Sequence, residues 1–310
     1  MRDGSIGRRE FLAGTLVAAG ALASGAFPPP ASAAGKEASV SRATGPSPRE
    51  NVMRAVKAVG GMGAFVSRGD VVVVKPNIGW DRSPAQAANT DPEVVTAVIE
   101  LCLAAGAKEV RVFDRTCNEA RRCYASSGIQ EAVEAFARKH KAGDAVRIYH
   151  VEDRKFVTTD IPGALTLSRW PLYRDALEAD RLINVPVAKH HTLGIVTAGL
   201  KNWMGLMGGN RGQVHFRLPE CLVDLHAALP ARLTVVDATR VLLRNGPSGG
   251  SLSDVKEFRT VLASADVAAA DVTAAHDFFG LSPDRVPHLQ KALESGRWIS
   301  SPSAIRLVPA

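Results

Sequence analysis

An apolar run, Leu182-Ile183-Asn184-Val185, meets Pro186 and, after Val187 and Ala188, a cluster of three bases: Lys189, His190 and His191. Lys201 and Asn202 follow shortly after, next to Gly199 and Leu200. A strand that ends in a cluster of bases is poorly suited to a core and well suited to an anion or metal site. If the segment is extended, alternate side chains point to opposite faces, so Lys189 and His191 share one side and His190 takes the other. His191 is then a candidate general base or metal ligand near neutral pH. A neighbouring ammonium disfavours its protonated form and keeps the ring neutral.

Other residues fit the same chemistry. Lys75 follows four valines and precedes Pro76 and Asn77, so its ammonium sits at a strand end, where it can hold a carboxylate or phosphate beside a directed amide. Lys201 and Asn202 share a presumed helix, 192–206, with Gly194, Gly199 and Gly205. Glycine costs a helix ~1 kcal/mol against alanine, so these positions imply close backbone approach or a broken, site-lining helix. Gly208 to His215 reads as a flexible loop over the site, with Arg211 offering a guanidinium fork. His215 and His226 are further candidate metal ligands, although Asp224 and His226 do not share a helix face. Asp114 and Asp237, at strand ends, can bind a metal or orient a lysine. Asn245 to Gly250 could form a backbone anion nest, but it lacks the Lys-Ser/Thr ending of a nucleotide-binding P-loop.

These segments need a scaffold. The expected strands are 70–75, 109–113, 146–150, 181–185, 233–237 and 258–263. The expected helices are 49–60, one from 91 to Gly106, 129–140, 218–228, 266–279 and 285–295, and 153–178 reads as irregular. Apolar strands alternating with helices predict an α/β fold, a mostly parallel sheet with helices on both faces and room for a small subdomain. Ligands of such sheets bind beyond the carboxyl ends of the strands. That rule gathers Lys75, Asn77, Asp114, Lys189, His191 and Asp237 at one rim.

The sequence resembles the DUF362 family over about Val71 to Gly280. The resemblance rests on Val74-Lys75-Pro76-Asn77, Thr90-Asp91-Pro92, Asn184-Val185-Pro186 with Lys189 and His191, and Gly199-Leu200-Lys201-Asn202 with Gly205. It rests also on Val223-Asp224-Leu225, Leu233 to Asp237, Asn245 to Gly250, and Leu262-Ala263-Ser264 with Asp266 and Asp271. It implies a fold and a site rather than a reaction. Val187 stands where family members often carry a basic residue. The ferredoxin-like cysteine motifs of some members, which bind [4Fe–4S] clusters, are missing here. A weaker analogy runs to lactate-racemase-like proteins, which also place His and Lys around a substrate carboxylate.

Arg8-Arg9-Glu10-Phe11-Leu12, an Ala/Gly-rich apolar stretch and Ala31-Ser32-Ala33 predict a twin-arginine signal over 1–33, and with it the translocase as a partner and a periplasmic or other extracytoplasmic destination. Residues 34–48 read as a disordered linker and 49–310 as the α/β domain. The formal net charge of +7 favours acidic ligands weakly, and no basic run with interleaved aromatics points to nucleic acid. Of the four cysteines, Cys102 and Cys221 read as core, and Cys117 and Cys123 are close enough in sequence for a local disulfide. No Gly-x-Ser-x-Gly, His-Glu-x-x-His or Gly-x-Gly-x-x-Gly is present, which disfavours serine hydrolase, zincin and ordinary dinucleotide chemistry. The expectation is an exported protein that binds a small anionic molecule. Lys189, His191 and Lys201 are catalytic, and Lys75, Asn77, Asn202, Arg211, Asp114 and Asp237 contact the ligand. A metal- or redox-cofactor-binding protein, with a metal ion on His191 and His215, is the alternative, as is non-catalytic anion binding.

Overall fold

Four successive valines suit a strand covered on both faces, and Val72, Val73 and Val74 are fully buried. Each contributes roughly 1.5–3 kcal/mol of burial. A computed structural model of the chain describes residues 37–310; the expected signal segment lies outside them. In chain order the elements are β1 (Ala38–Thr44), α1 (Pro48–Ala58), β2 (Val71–Pro76), α2 (Pro92–Ala104), β3 (Glu109–Val112), α3 (Ala120–Ser126), α4 (Ile129–Lys139) and β4 (Val146–Ile148). There follow β5 (Phe156–Asp160), β6 (Arg169–Tyr173), α5 (Arg174–Leu177), β7 (Arg181–Val185), β8 (Val187–His191), β9 (Ile195–Thr197) and α6 (Gly199–Asn202). The chain closes with α7 (Leu218–Ala228), β10 (Leu233–Leu242), β11 (Val255–Ser264), α8 (Val267–Phe279), α9 (Pro287–Glu294) and β12 (Ile305–Pro309).

The main sheet runs β12-β1-β11-β10-β7-β2-β3-β4, and β8 continues along β10 before pairing with β9. From β10 to β4 every neighbouring pair is parallel; β11 is antiparallel to both its neighbours. Alternation divides the core into two layers. Val72, Val74 and Ile183 pack with Val52, Val95 and Ile129 from α1, α2 and α4. Val73, Leu182 and Val236 pack with Leu222, Ala268 and Leu289 from α7, α8 and α9. The expected α/β fold, a mostly parallel sheet covered on both faces, is therefore present. The start of α2 follows its sequence signals: the Asp91 carboxylate accepts from Glu93 N at 2.9 Å, and Pro92 occupies the first turn.

The structure corrects four expectations. The supposed linker holds β1, wedged between β11 and β12. Its small residues suited a linker by composition, but Ala38, Val40 and Ala43 are buried, and Ser41 Oγ donates to Ala55 O at 2.7 Å. Residues 153–178 contain a hairpin, β5–β6, with Phe156 opposite Tyr173. The expected helix 192–206 is β9, one turn of α6 and a 3₁₀ turn, Trp203–Leu206. There a β-carbon on Gly199 would stand 2.6 Å from Val267 Cγ2. Finally, β10 and β11 extend well beyond their apolar centres. Cys102 and Cys221 are buried as expected, and all four cysteines are free thiols. No described helix is long and apolar enough to cross a membrane.

Candidate functional site

The carboxyl ends of β2 and β3, the far half of β8, and α6 enclose a pocket of about 650 Å³. Lys75, Asn77, Asp114, Lys189, His191, Lys201, Asn202, Arg211 and His215 all line it. Lys75 is buried and lies 2.8 Å from Asp114 Oδ1 and 2.8 Å from Asn202 Oδ1. Burial pulls its pKa down, and the Asp114 carboxylate opposes that. Asp114 is held by Ile78 N, which donates to Oδ2 at 2.7 Å. Asn202 is the hub. Its amide donates to Asn184 Oδ1 at 2.9 Å and Lys75 O at 3.1 Å, and its carbonyl accepts from Asn77 at 3.2 Å. Asn184 in turn donates to Gly199 O at 2.9 Å, tying β7 to α6.

Lys189 and Lys201 differ from Lys75 in having no carboxylate partner among the described residues. Their exposures are 1% and 7%. Lys189 donates to Ala88 O and to Asn77 Oδ1 at 3.4 Å, and its ammonium lies 5.9 Å from the Trp80 ring centre. Lys201 meets only Met204 Sδ at 3.3 Å and His215 Nε2 at 3.2 Å. Burial lowers Lys189 to about 7 and Lys201 to about 8. Unpaired burial disfavours the ammonium form, and each group is poised to lose a proton near neutrality.

The ring of His191 is fixed by backbone. Its Nδ1 accepts from Leu193 N and Gly194 N, both at 3.1 Å. The proton of the neutral ring therefore sits on Nε2. Burial, then Lys201 and Lys189, lower its pKa to about 2. With Nδ1 taken up by backbone, the neutral ring presents its Nε2–H to the pocket as a hydrogen-bond donor. His191 and Lys189 do share a face, with His190 turned away to accept from Gly246 N at 3.1 Å. His215 has the opposite tautomer: Nδ1 faces Gly212 O at 3.1 Å, leaving the Nε2 lone pair for Lys201. The two rings stack with centroids 5.8 Å apart. Among the described residues no group of three or more His, Cys, Asp or Glu is placed to hold a metal ion.

Residues 72–276, which contain the whole pocket, match the family described as a domain of unknown function, DUF362. The chain belongs to the DUF362 family. A thylakoid-associated protein of Synechocystis sp. is 30% identical to it over 241 residues, covering 75% of this chain and 70% of that one. Solved structures are more distant. The lactate racemase apoprotein of Thermoanaerobacterium thermosaccharolyticum superposes with a TM-score of 0.43 at 11% identity, over 76% of this chain and 56% of the racemase. A Thermotoga maritima protein gives 0.33 at 12% identity, over 65% of this chain and 52% of that one. The DUF362 protein thus spans little more than half of either chain.

Several expected ligand contacts of this DUF362 protein belong to its framework. Asp237 does not reach the pocket; its carboxylate accepts from Asp91 N at 2.7 Å and Thr239 N at 2.9 Å, fixing the entry to α2. Arg211 lines the pocket, but its guanidinium is engaged by carbonyls, donating to Arg115 O at 2.7 Å and to Thr116 O. The presumed flexible loop is a 3₁₀ helix, Arg211–Arg217, braced by those bonds. His226 is buried, stacked on Trp203 at 5.0 Å, with Nε2 3.2 Å from Leu200 O. Asp224 accepts from the backbone of Leu165, Thr166 and Leu167. In the glycine-rich turn, Gly246 N serves His190 and Gly249 N serves Asn245 O, so these donors are unavailable for a nest.

Sequence reasoning missed Trp80, Thr116, Cys117, Thr192, Thr197 and Met204, all of which line the pocket. For Thr116 and Cys117 there was a signal, since they follow the strand-end residue Asp114. A second hollow of about 560 Å³ lies beside the edge strand β4. Several of its charges are already paired, as in Lys155–Asp175 at 3.0 Å.

Proposed function

We propose that this DUF362 protein is an exported enzyme that binds a small carboxylate or phosphate and moves a proton on it. The observation that carries this reading is the pair of buried lysines, Lys189 and Lys201, facing one pocket with no carboxylate to neutralise them. Two such ammonium groups are costly in the empty site and are compensated by an incoming anion. Lys75 is held by Asp114 and Asn202, and it supplies a fixed cationic floor. Lys189, at about 7, is suited to take a proton at neutral pH. His191 offers its Nε2–H to a ligand oxygen, as a neutral imidazole electrophile does.

A cation would meet Lys189 and Lys201 in the same space, so a metal on His191 and His215 is the weaker reading. The Arg8-Arg9 motif supports export, and the thylakoid association named for the Synechocystis relative fits a location outside the cytoplasm or at a membrane.

The test is calorimetric titration of phosphate, pyruvate and succinate into the native protein and into Lys189→Met. Micromolar to millimolar binding to the native protein, lost in the variant, is the expected result. Unchanged binding in Lys189→Met sinks the proposal.

A further inference from the structure

Lys201 faces the anion pocket, and the anion-binding reading leaves its contact with His215 without a role. Lys201 Nζ lies 3.2 Å from His215 Nε2, and His215 Nδ1 lies 3.1 Å from Gly212 O. The carbonyl sets the tautomer, so Nε2 presents a lone pair to the amine. This is the geometry of a nucleophile, its base and an orienting group. We propose that Lys201 forms an imine with a carbonyl-bearing anion, a 2-oxo acid or an anionic aldehyde, with His215 carrying the protons. The inference rests on the anion-binding reading, because Lys189 and Lys75 would hold the carboxylate.

The other two lysines are less suitable nucleophiles. Lys75 is already engaged, by Asp114 Oδ1 and Asn202 Oδ1, both at 2.8 Å. Lys189 touches only Ala88 O and Asn77 Oδ1, neither of which takes up a proton readily. Lys201 has a thioether and an imidazole for partners, a poor set for an ammonium and a good one for a neutral amine. Burial acts in the same direction on both members of the pair. The stem of Lys201 is also fixed in place: a β-carbon on Gly194 would stand 3.0 Å from its Cε.

The chemistry balances without an added reactant. The neutral amine attacks the carbonyl carbon, the carbonyl electron pair moves to oxygen, and one N–H proton passes through His215 Nε2 to that oxygen. The carbinolamine then expels its hydroxyl as water, using the second N–H proton along the same route. One amine and one carbonyl give one imine and one water.

Glyoxylate with cyanoborohydride tests this on the native protein at pH 7, with peptide mapping of the reduced adduct. Lys201 is expected to label about tenfold or more faster than the exposed Lys57 and Lys108, because His215 Nε2 stands ready to take up its proton as the amine attacks. His215→Gln should slow that labelling about tenfold while circular dichroism shows an intact fold. Lys201→Arg should abolish it. Preferential labelling of Lys189 overturns the assignment to Lys201. Calorimetric binding of glyoxylate with no selective label overturns the imine and leaves anion binding standing. Absence of both binding and label overturns the two readings together.

Discussion

Gly205 lies against Asp114 so closely that a β-carbon on it would overlap Oδ1 and stand 2.7 Å from Nζ of Lys75. The glycine is where it is because a carboxylate and an ammonium fill the space that a side chain would need.

Gly205→Ala therefore displaces the Lys75–Asp114 pair or the turn that follows α6. Overpacking of this kind costs about 1–3 kcal/mol. Urea denaturation should show a lower midpoint at unchanged slope, and anion binding should weaken in the same variant. A midpoint equal to that of the native chain contradicts the close packing.

Lys189→Met separates binding from stability. The residue is 1% exposed and has no carboxylate partner, so an apolar chain of similar length should leave thermal stability equal or higher. A charged hydrogen bond to the ligand is worth ~1.5–3 kcal/mol, so affinity for a bound anion should fall about tenfold or more. A variant that melts lower yet binds equally well would reverse both expectations.

The depressed lysines set a pH dependence. Folded Lys189 and Lys201 titrate at about 7 and about 8, below the unfolded value. Between those values and about 10.4 the unfolded chain binds more protons than the folded one, so the apo-protein should gain stability as pH rises through that window, by up to ~1.4 kcal/mol per pH unit per lysine. Sulfate binding should follow the opposite course, weakening above pH 7 as the ammonium groups are lost. Denaturation midpoints from pH 7 to 10, compared with those of Lys189→Met, measure the first effect. A flat profile in the native protein excludes depressed lysines.

His191 should stay neutral with its proton on Nε2 from pH 4 to pH 9. Nitrogen NMR of labelled histidine reads the tautomer directly. A titration near the ordinary histidine value, or a proton on Nδ1, shows that the bonds from Leu193 N and Gly194 N do not govern the ring.

Much of this arrangement was legible in the sequence. The valines before Lys75 and the apolar run before Pro186 marked strands, and the strand-end rule brought Lys75, Asp114, Lys189 and His191 to one rim. The same rule misplaced Asp237, because β10 continues past it and its carboxylate is taken up by backbone amides. Position along a strand is visible in sequence; the partner of a buried carboxylate is not. β1 was hidden by its alanines and serines, which suit a linker and also fit a narrow slot beside α1. The tautomer of His191 could not be read either, since it depends on how the chain turns at Leu193 and Gly194.

The place of β1 bears on how the molecule is made. Among the described residues its only sheet neighbours are β11 and β12, so β1 has no partner until residues 255–264 have followed it. Contacts so distant in sequence form late. The outer neighbour, β12 (Ile305–Pro309), is made later still, so both edges of β1 are covered only once residue 309 has been added. In ribosome-stalled chains ending at residue 250, the β1 segment should be cut readily by protease; in the released full-length protein it should resist.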